Sequence, residues 1–142
     1  MQVNKILVPV SGDEADEEAI RLACKLGKQH KSQIYAVYVI VIQLTFPLEA
    51  EVKSETEKAE KALENIQKLA EEQSCTIQGI ILQTRAVGLP IINIAKEYGV
   101  DLIIIGIKHT TRFGQFSLGS TVPYILKNAP CRVILYRQYT PQ

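Results

Sequence analysis

Short apolar runs alternating with segments of helical period constrain this chain more than any other feature. The first run, Lys5-Ile6-Leu7-Val8-Pro9-Val10, is closed by the turn residues Ser11-Gly12-Asp13. Ala15, Ala19, Leu22, Ala23 and Leu26 then recur at helical spacing, with either Asp13 or Ser11 available as the cap. Ile34 to Ile42 is a second apolar run, nine residues without polar alternation, as a parallel strand buried on both faces requires. Gln43 to Val52, with Pro47, reads as a connecting loop. Glu55 to Gln73 is charged and helix-favouring. Its Ala59, Ala62, Leu63, Ile66, Leu69 and Ala70 form one apolar stripe, and Glu57–Lys61 and Glu64–Lys68 are i,i+4 pairs in the favourable order. Such a charge run is a solvated helix face before it is a binding surface.

Thr76 to Thr84 predicts a third strand, and Gly88-Leu89-Pro90 opens a helix carrying Ile91, Ile94 and Ala95 that ends at Gly99. Asp101 to Gly106 predicts a fourth strand. A long polar loop, Ile107 to Leu118, leads to Gly119-Ser120 and a helix around Val122, Ile125 and Leu126, closed by Asn128-Ala129-Pro130. Arg132 to Tyr136 is the last strand. Five strands alternating with four helices predict an α/β fold: an open, doubly wound, five-stranded parallel sheet with helices on both faces. At 142 residues, with no repeat and no interdomain linker, residues 1–142 read as a single domain.

Composition narrows the function classes. Lys and Arg number 16 and Asp and Glu 15, so no general affinity for nucleic acid or acidic membranes is expected. The six tyrosines do not interleave with a basic patch, which leaves nucleic-acid stacking unsupported. The longest apolar run is about half the length of a membrane-spanning helix, and no signal peptide is visible at the N-terminus. The expectation is a soluble, cytoplasmic protein without direct membrane insertion. Cys24, Cys75 and Cys131 are widely spaced and odd in number, hence reduced packing thiols rather than a disulfide framework, and Cys75 shows no redox partner. With His30 and His109 as the only histidines, no metal site is expected. Ser120, His109 and Asp101 do not make a hydrolytic triad. There is no G-x-S-x-G elbow, and Asp101 begins its strand at the end opposite the loop. No catalytic residue is expected, and the protein reads as a non-enzyme.

Open parallel sheets bind ligands beyond the carboxyl ends of their strands, where strand order reverses. Two strand ends stand out: Pro9-Val10-Ser11-Gly12, and Gly106 with the loop reaching Gly119-Ser120. Neither G-x-G-x-x-G after the first strand nor G-x-x-x-x-G-K-[ST] occurs. What remains is a glycine ending a buried strand, a basic loop with Lys108, His109 and Arg112, and a Gly-Ser pair opening a helix. Those residues suit a phosphate held by helix N-terminal N–H groups. A tight turn at Gly119 and a simple cap at Ser120 are the plainer reading of these residues alone.

The chain resembles the universal stress protein family over nearly its whole length. The resemblance is carried by Lys5 to Val10, Gly88-Leu-Pro90 through Ala95, Gly99 to Gly106, and Leu118-Gly-Ser120 through Ala129-Pro-Cys-Arg-Val-Ile134. It implies a Rossmann-like sheet of the adenine nucleotide alpha hydrolase type and a homodimer paired through the last strand, Cys131 to Tyr136. It further implies a sensor or regulator role in stress response and an adenine nucleotide as ligand: ATP, AMP or a cyclic adenine dinucleotide. ATP-binding members carry G-x2-G-x9-G-[ST], and here Gly106, Gly119 and Ser120 fill three places while His109 takes the second glycine. The aspartate expected two residues after Pro9 is Ser11. Serine supplies no carboxylate to a ribose, a difference of about 1.5–3 kcal/mol. His109 either blocks the triphosphate or binds a phosphate as imidazolium, with occlusion or an altered ligand preference the stronger reading. The implied ligand contacts are Pro9, Val10, Ser11 and Val39 at the nucleoside, Ile105 and Gly106 beneath it, and His109, Gly119, Ser120 and Thr121 at the phosphates. The alternative is a dimerising interaction module that binds no nucleotide and regulates, or derives from, a membrane transporter.

Overall fold

The computed structural model describes residues 2–42, 49–85, 88–107, 111–112, 115–116 and 121–137. In chain order the elements are β1 (Lys5–Val10), α1 (Ala15–His30), β2 (Gln33–Val41), α2 (Glu49–Glu72), β3 (Ile77–Thr84), α3 (Gly88–Tyr98), β4 (Leu102–Ile107), β5 (Thr111–Arg112), β6 (Gln115–Phe116), α4 (Thr121–Asn128) and β7 (Arg132–Arg137). The five long strands form one sheet in the order β3-β2-β1-β4-β7, and every pairing in it is parallel.

Strand periodicity divides the apolar residues between two layers. Ile6, Val8, Val10, Ile34, Ala36, Leu102 and Ile104 face α1 and α2, meeting Ile20, Ala23, Cys24, Leu63 and Ile66. Leu7, Tyr35, Val37, Ile103 and Ile105 face the other way, onto Ile91, Ile94 and Ala95 of α3 and Val122 and Ile125 of α4. The central strands β1 and β4 are buried on both faces, which is why their sequences run apolar without alternation.

Several local outcomes differ from the sequence expectation. The helix expected from Glu55 begins at Glu49, inside the segment read as loop, because Glu49 to Lys53 are mostly good helix formers. The polar loop after β4 contains the two-residue strands β5 and β6, paired antiparallel. Leu126, expected on the apolar side of α4, is exposed, whereas Val122 and Ile125 carry the packing. The Cys75 thiol meets Cys24: burial first, then the hydrogen bond between the two side chains, pushes the Cys24 thiol up to about 12. At that value Cys24 remains a neutral packing group.

The start of α1 and the end of α3 follow their sequence signals. Asp13 Oδ1 accepts the Ala15 N–H at 2.9 Å, so Asp13, not Ser11, tends the start of α1. At the other end Lys31 adopts a left-handed conformation (φ 55°) and the Ser32 N–H returns to the Gly27 carbonyl at 2.9 Å. Gly99 (φ 67°) ends α3 in the same way.

At the amino end of the sheet, Asp101 Oδ2 accepts the main-chain N–H groups of Asn4 at 2.7 Å and Lys5 at 2.9 Å, tying the start of β1 to the start of β4. Truncation to Asp101→Ala strands both donors and is expected to cost about 2 kcal/mol, lowering Tm by about 6 °C. Asp101→Asn, which retains one acceptor, should lose less. Equal melting of Asp101→Ala and the parent chain would remove this tie from the account.

Candidate functional site

Strand pairing itself opens the site. β1 and β2 stay in register from Lys5↔Gln33 to Val10↔Tyr38, but β1 pairs with β4 only at Ile6↔Leu102 and Leu7↔Ile103. Beyond Leu7 the next residue on the same side is Pro9, which has no N–H to offer a ladder. The carboxyl ends of β1 and β4 therefore separate, at the point where the chain winds to one side of the sheet and then the other.

A cavity of about 390 Å3 occupies that gap, within the range of small-molecule sites. Of the residues expected at a ligand, Pro9, Val10, Ser11, Val39, Ile105, Gly106 and Thr121 line it. His109, Gly119 and Ser120 lie outside the described residues. Sequence reasoning missed Asp16, Tyr38 and the apolar floor made by Ile91, Val122 and Ile125. The floor was legible as helix periodicity, but its exposure to a cavity was not.

The glycine at 106 has a packing reason. A Cβ there would lie 2.1 Å from the Ala15 carbonyl oxygen and 3.2 Å from the Ala19 Cβ. The first turn of α1 thus rests directly on the β4 main chain, and only glycine permits the approach. This seating brings Asp16, the second residue of α1, into the cavity wall.

Asp16 is 4% exposed and is the one buried charged residue among the described residues. Its Oδ2 accepts the Gly12 N–H at 2.6 Å, and both oxygens share the Ser11 N–H at 3.1 Å. The carboxylate thereby fixes the β1–α1 turn, where Gly12 takes φ 89°. Burial pushes the Asp16 carboxyl up to about 6, with the Asp13 charge adding to the rise and the turn N–H groups opposing it. The Ser11 hydroxyl does not replace a carboxylate in the cavity; it donates to Asp13 Oδ2 at 3.1 Å. Tyr38, on the β2 side, has its phenol pushed up by burial, then by the Glu55 charge. Only the spacing of Asp16 from Ser11-Gly12 could have signalled it, as an Asx-type acceptor for the preceding turn.

Two expectations follow. Gly106→Ala must lift the first turn of α1 from β4, for an expected loss of about 1–3 kcal/mol in chemical denaturation; an unchanged midpoint would mean the contact is not as close as described. Second, folding raises the Asp16 pKa from 3.8, so the folded chain holds this proton more tightly than the unfolded chain. Its contribution therefore falls as pH rises between about pH 4 and 6, by about 3 kcal/mol. The difference in stability between the parent chain and Asp16→Asn should show that slope, and parallel profiles would refute it.

Among known proteins, the model of the "Universal stress protein family" matches residues 2–137. Universal stress protein MJ0531 of Methanocaldococcus jannaschii is 29% identical over 94% of this chain and 82% of its own length. The structure of universal stress protein UspA from Lactobacillus plantarum superposes with a TM-score of 0.78 at 25% identity, covering 96% of this chain and 99% of that one. Two more distant structures share the fold. One is a universal stress protein from Archaeoglobus fulgidus in complex with dAMP (TM-score 0.72, 20% identity, 95% of this chain and 98% of that one). The other is an Arabidopsis thaliana universal stress protein family protein with AMP bound (TM-score 0.70, 18% identity, 96% and 93%). The sheet is thus of the adenine nucleotide alpha hydrolase type, and with a family match over nearly its whole length, this chain belongs to the universal stress protein family.

Proposed function

We propose that the cavity between β1 and β4 binds an adenine nucleotide, and that the protein acts as a dimeric sensor or regulator in stress response rather than as a catalyst. The observation that carries this reading is the start of α4. Thr121, its first residue, lines the cavity, and its first turn holds no acidic side chain. Its N–H groups and the positive end of its dipole favour an anion there. The first turn of α1, at the opposite wall, sets the acidic Asp16 against the cavity. A nucleotide therefore enters with its phosphate toward α4 and its nucleoside toward β1 and β2, among Pro9, Val10, Val39 and Ile105. Adenine nucleotides bound to the Archaeoglobus and Arabidopsis proteins support the ligand class.

A mononucleotide or cyclic adenine dinucleotide suits this site better than ATP, since His109 stands where ATP-binding relatives carry glycine and the Ser11 hydroxyl is engaged by Asp13. For the dimer, β7 is an edge strand paired only with β4 among the described strands, which leaves its outer edge for the same strand of a second copy. The Ser11–Asp13 contact also favours a second reading: an interaction module without nucleotide, partnered with a transporter. No helix among the described residues is long and apolar enough to cross a membrane, so such a partner would supply the membrane part.

Calorimetric titration of the purified protein with AMP, ATP and cyclic di-AMP separates the readings. Saturable AMP binding is expected, with ATP weaker, and no phosphate released from ATP. Ser11→Asp combined with His109→Gly should strengthen ATP binding by roughly ten- to a hundredfold. Silence toward all three ligands from folded protein would leave the interaction module. Phosphate release from ATP that Ser120→Ala abolishes would overturn the non-enzymatic reading.

A further inference from the structure

The Asp16 carboxylate is built into the cavity wall in an asymmetric way. Oδ2 alone receives both turn donors, from Ser11 and Gly12, whereas Oδ1 only shares the Ser11 N–H. A proton on Oδ1 therefore leaves the Ser11 and Gly12 N–H groups paired with Oδ2, while the Asp13 N–H adds to the support of the ionised form. At 4% exposure the ionised form draws little help from water.

Charged and titratable groups around it do not supply a counter-ion. Asp13 stands in the turn, the Tyr38 phenol on β2, and Glu17 on α1. Arg21 of α1 is engaged with Glu17 and Glu18. From α2, Lys68 and Glu72 face the same neighbouring groove, and Lys68 pairs with Glu64 at 3.4 Å. No ion pair joins Asp16 to a cation among the described residues, and its hydrogen bonds come from main-chain N–H groups.

We propose that Asp16 makes binding in this cavity proton-linked: an anionic nucleotide is taken up together with one proton from solvent, which settles on Oδ1 of Asp16. The inference rests on the nucleotide reading above and adds its regulation. A ligand filling the cavity excludes water from the carboxylate and adds negative charge at the far wall of the same cavity, and both effects disfavour the ionised form. With Oδ2 taken up by the turn, Oδ1 is the oxygen a ligand donor could still reach, and a hydrogen bond made there would lower the midpoint rather than raise it. Asp16 is thus a positioning residue for the turn and the element that makes affinity depend on pH.

Asp16→Asn tests this directly, since its amide mimics the neutral acid with the carbonyl oxygen in the Oδ2 place. AMP binding to the parent chain should tighten by about three- to tenfold between pH 7.5 and 5.5 beyond any change in Asp16→Asn. The variant should also bind AMP several-fold tighter than the parent at pH 7.5. Titration of the phosphate itself is common to both proteins and cancels, and a parallel pair carrying His109→Gln removes the imidazole. Adenosine, which brings no charge, should show a smaller linkage. Should Asp16→Asn fail to fold, carboxyl 13C resonances of the parent chain give the same answer: the Asp16 midpoint should rise when AMP saturates the site. A midpoint unmoved or lowered by AMP, or equal pH dependence in parent and variant, overturns the proton linkage while leaving nucleotide binding intact. Absence of AMP and ATP binding to both proteins at both pH values instead overturns the nucleotide reading, and the linkage with it.

Discussion

The contact between the first turn of α1 and Gly106 sets the positions on which the rest of this site depends. Most helix–sheet packings are separated by two layers of side chains. Here the Ala15 carbonyl meets β4 main chain, with only the hydrogens of Gly106 between them. That approach draws the β1–α1 turn down over the sheet end and tilts Asp16 into the cavity wall. The separation of β1 from β4 after Leu7 supplies the space, and the seated helix closes one side of it. A larger residue at 106 would disturb the helix, the turn and the cavity together, because one close approach fixes all three.

Charge is distributed over the cavity as unevenly as packing is. The helix starts at its two walls differ: α1 sets Asp16 against the cavity, while the first turn of α4 has no acidic residue. The α4 wall is therefore the more receptive to an anion, so a ligand with one anionic end and one apolar end has a preferred direction of entry. Asp16 sharpens the contrast at a cost. An ionised carboxylate without a cation, buried to 4% exposure, weakens the fold at neutral pH. Main-chain N–H groups at 2.6 and 3.1 Å offset part of that cost, and in return the turn is held at Gly12 in a conformation that favours glycine.

Legibility in the sequence varied with the range of the interactions involved. Strands β1, β2 and β4 were readable because a parallel strand buried on both faces leaves an unbroken apolar run. The ends of α3 were readable from Gly88-Leu89-Pro90 and Gly99, since glycine and proline act through their own backbone. The start of α2 at Glu49 was not, because a few helix-forming residues after a proline are compatible with loop and helix alike. Leu126 was placed wrongly for a related reason: α4 is only eight residues long, and its periodicity admits more than one apolar face. The meeting of Cys24 and Cys75, 51 positions apart, depends on where α1 and the turn after α2 come to lie, which no local pattern encodes.

The sequence by itself determined the layered α/β architecture, the family, and half of the residues that line the cavity. Those properties follow from period-two and period-3.6 patterning and from turn chemistry, which act between near neighbours in the chain. Tertiary structure alone decided that Gly106 serves the seating of α1, that the Ser11 hydroxyl turns to Asp13, and that the carboxylate in the cavity wall is Asp16. Each of these depends on the close approach of separate segments and on removal from water. A carboxylate in the first turn of a helix reads in sequence as an exposed partner of the helix dipole; only packing against the sheet made this one a buried, proton-holding group.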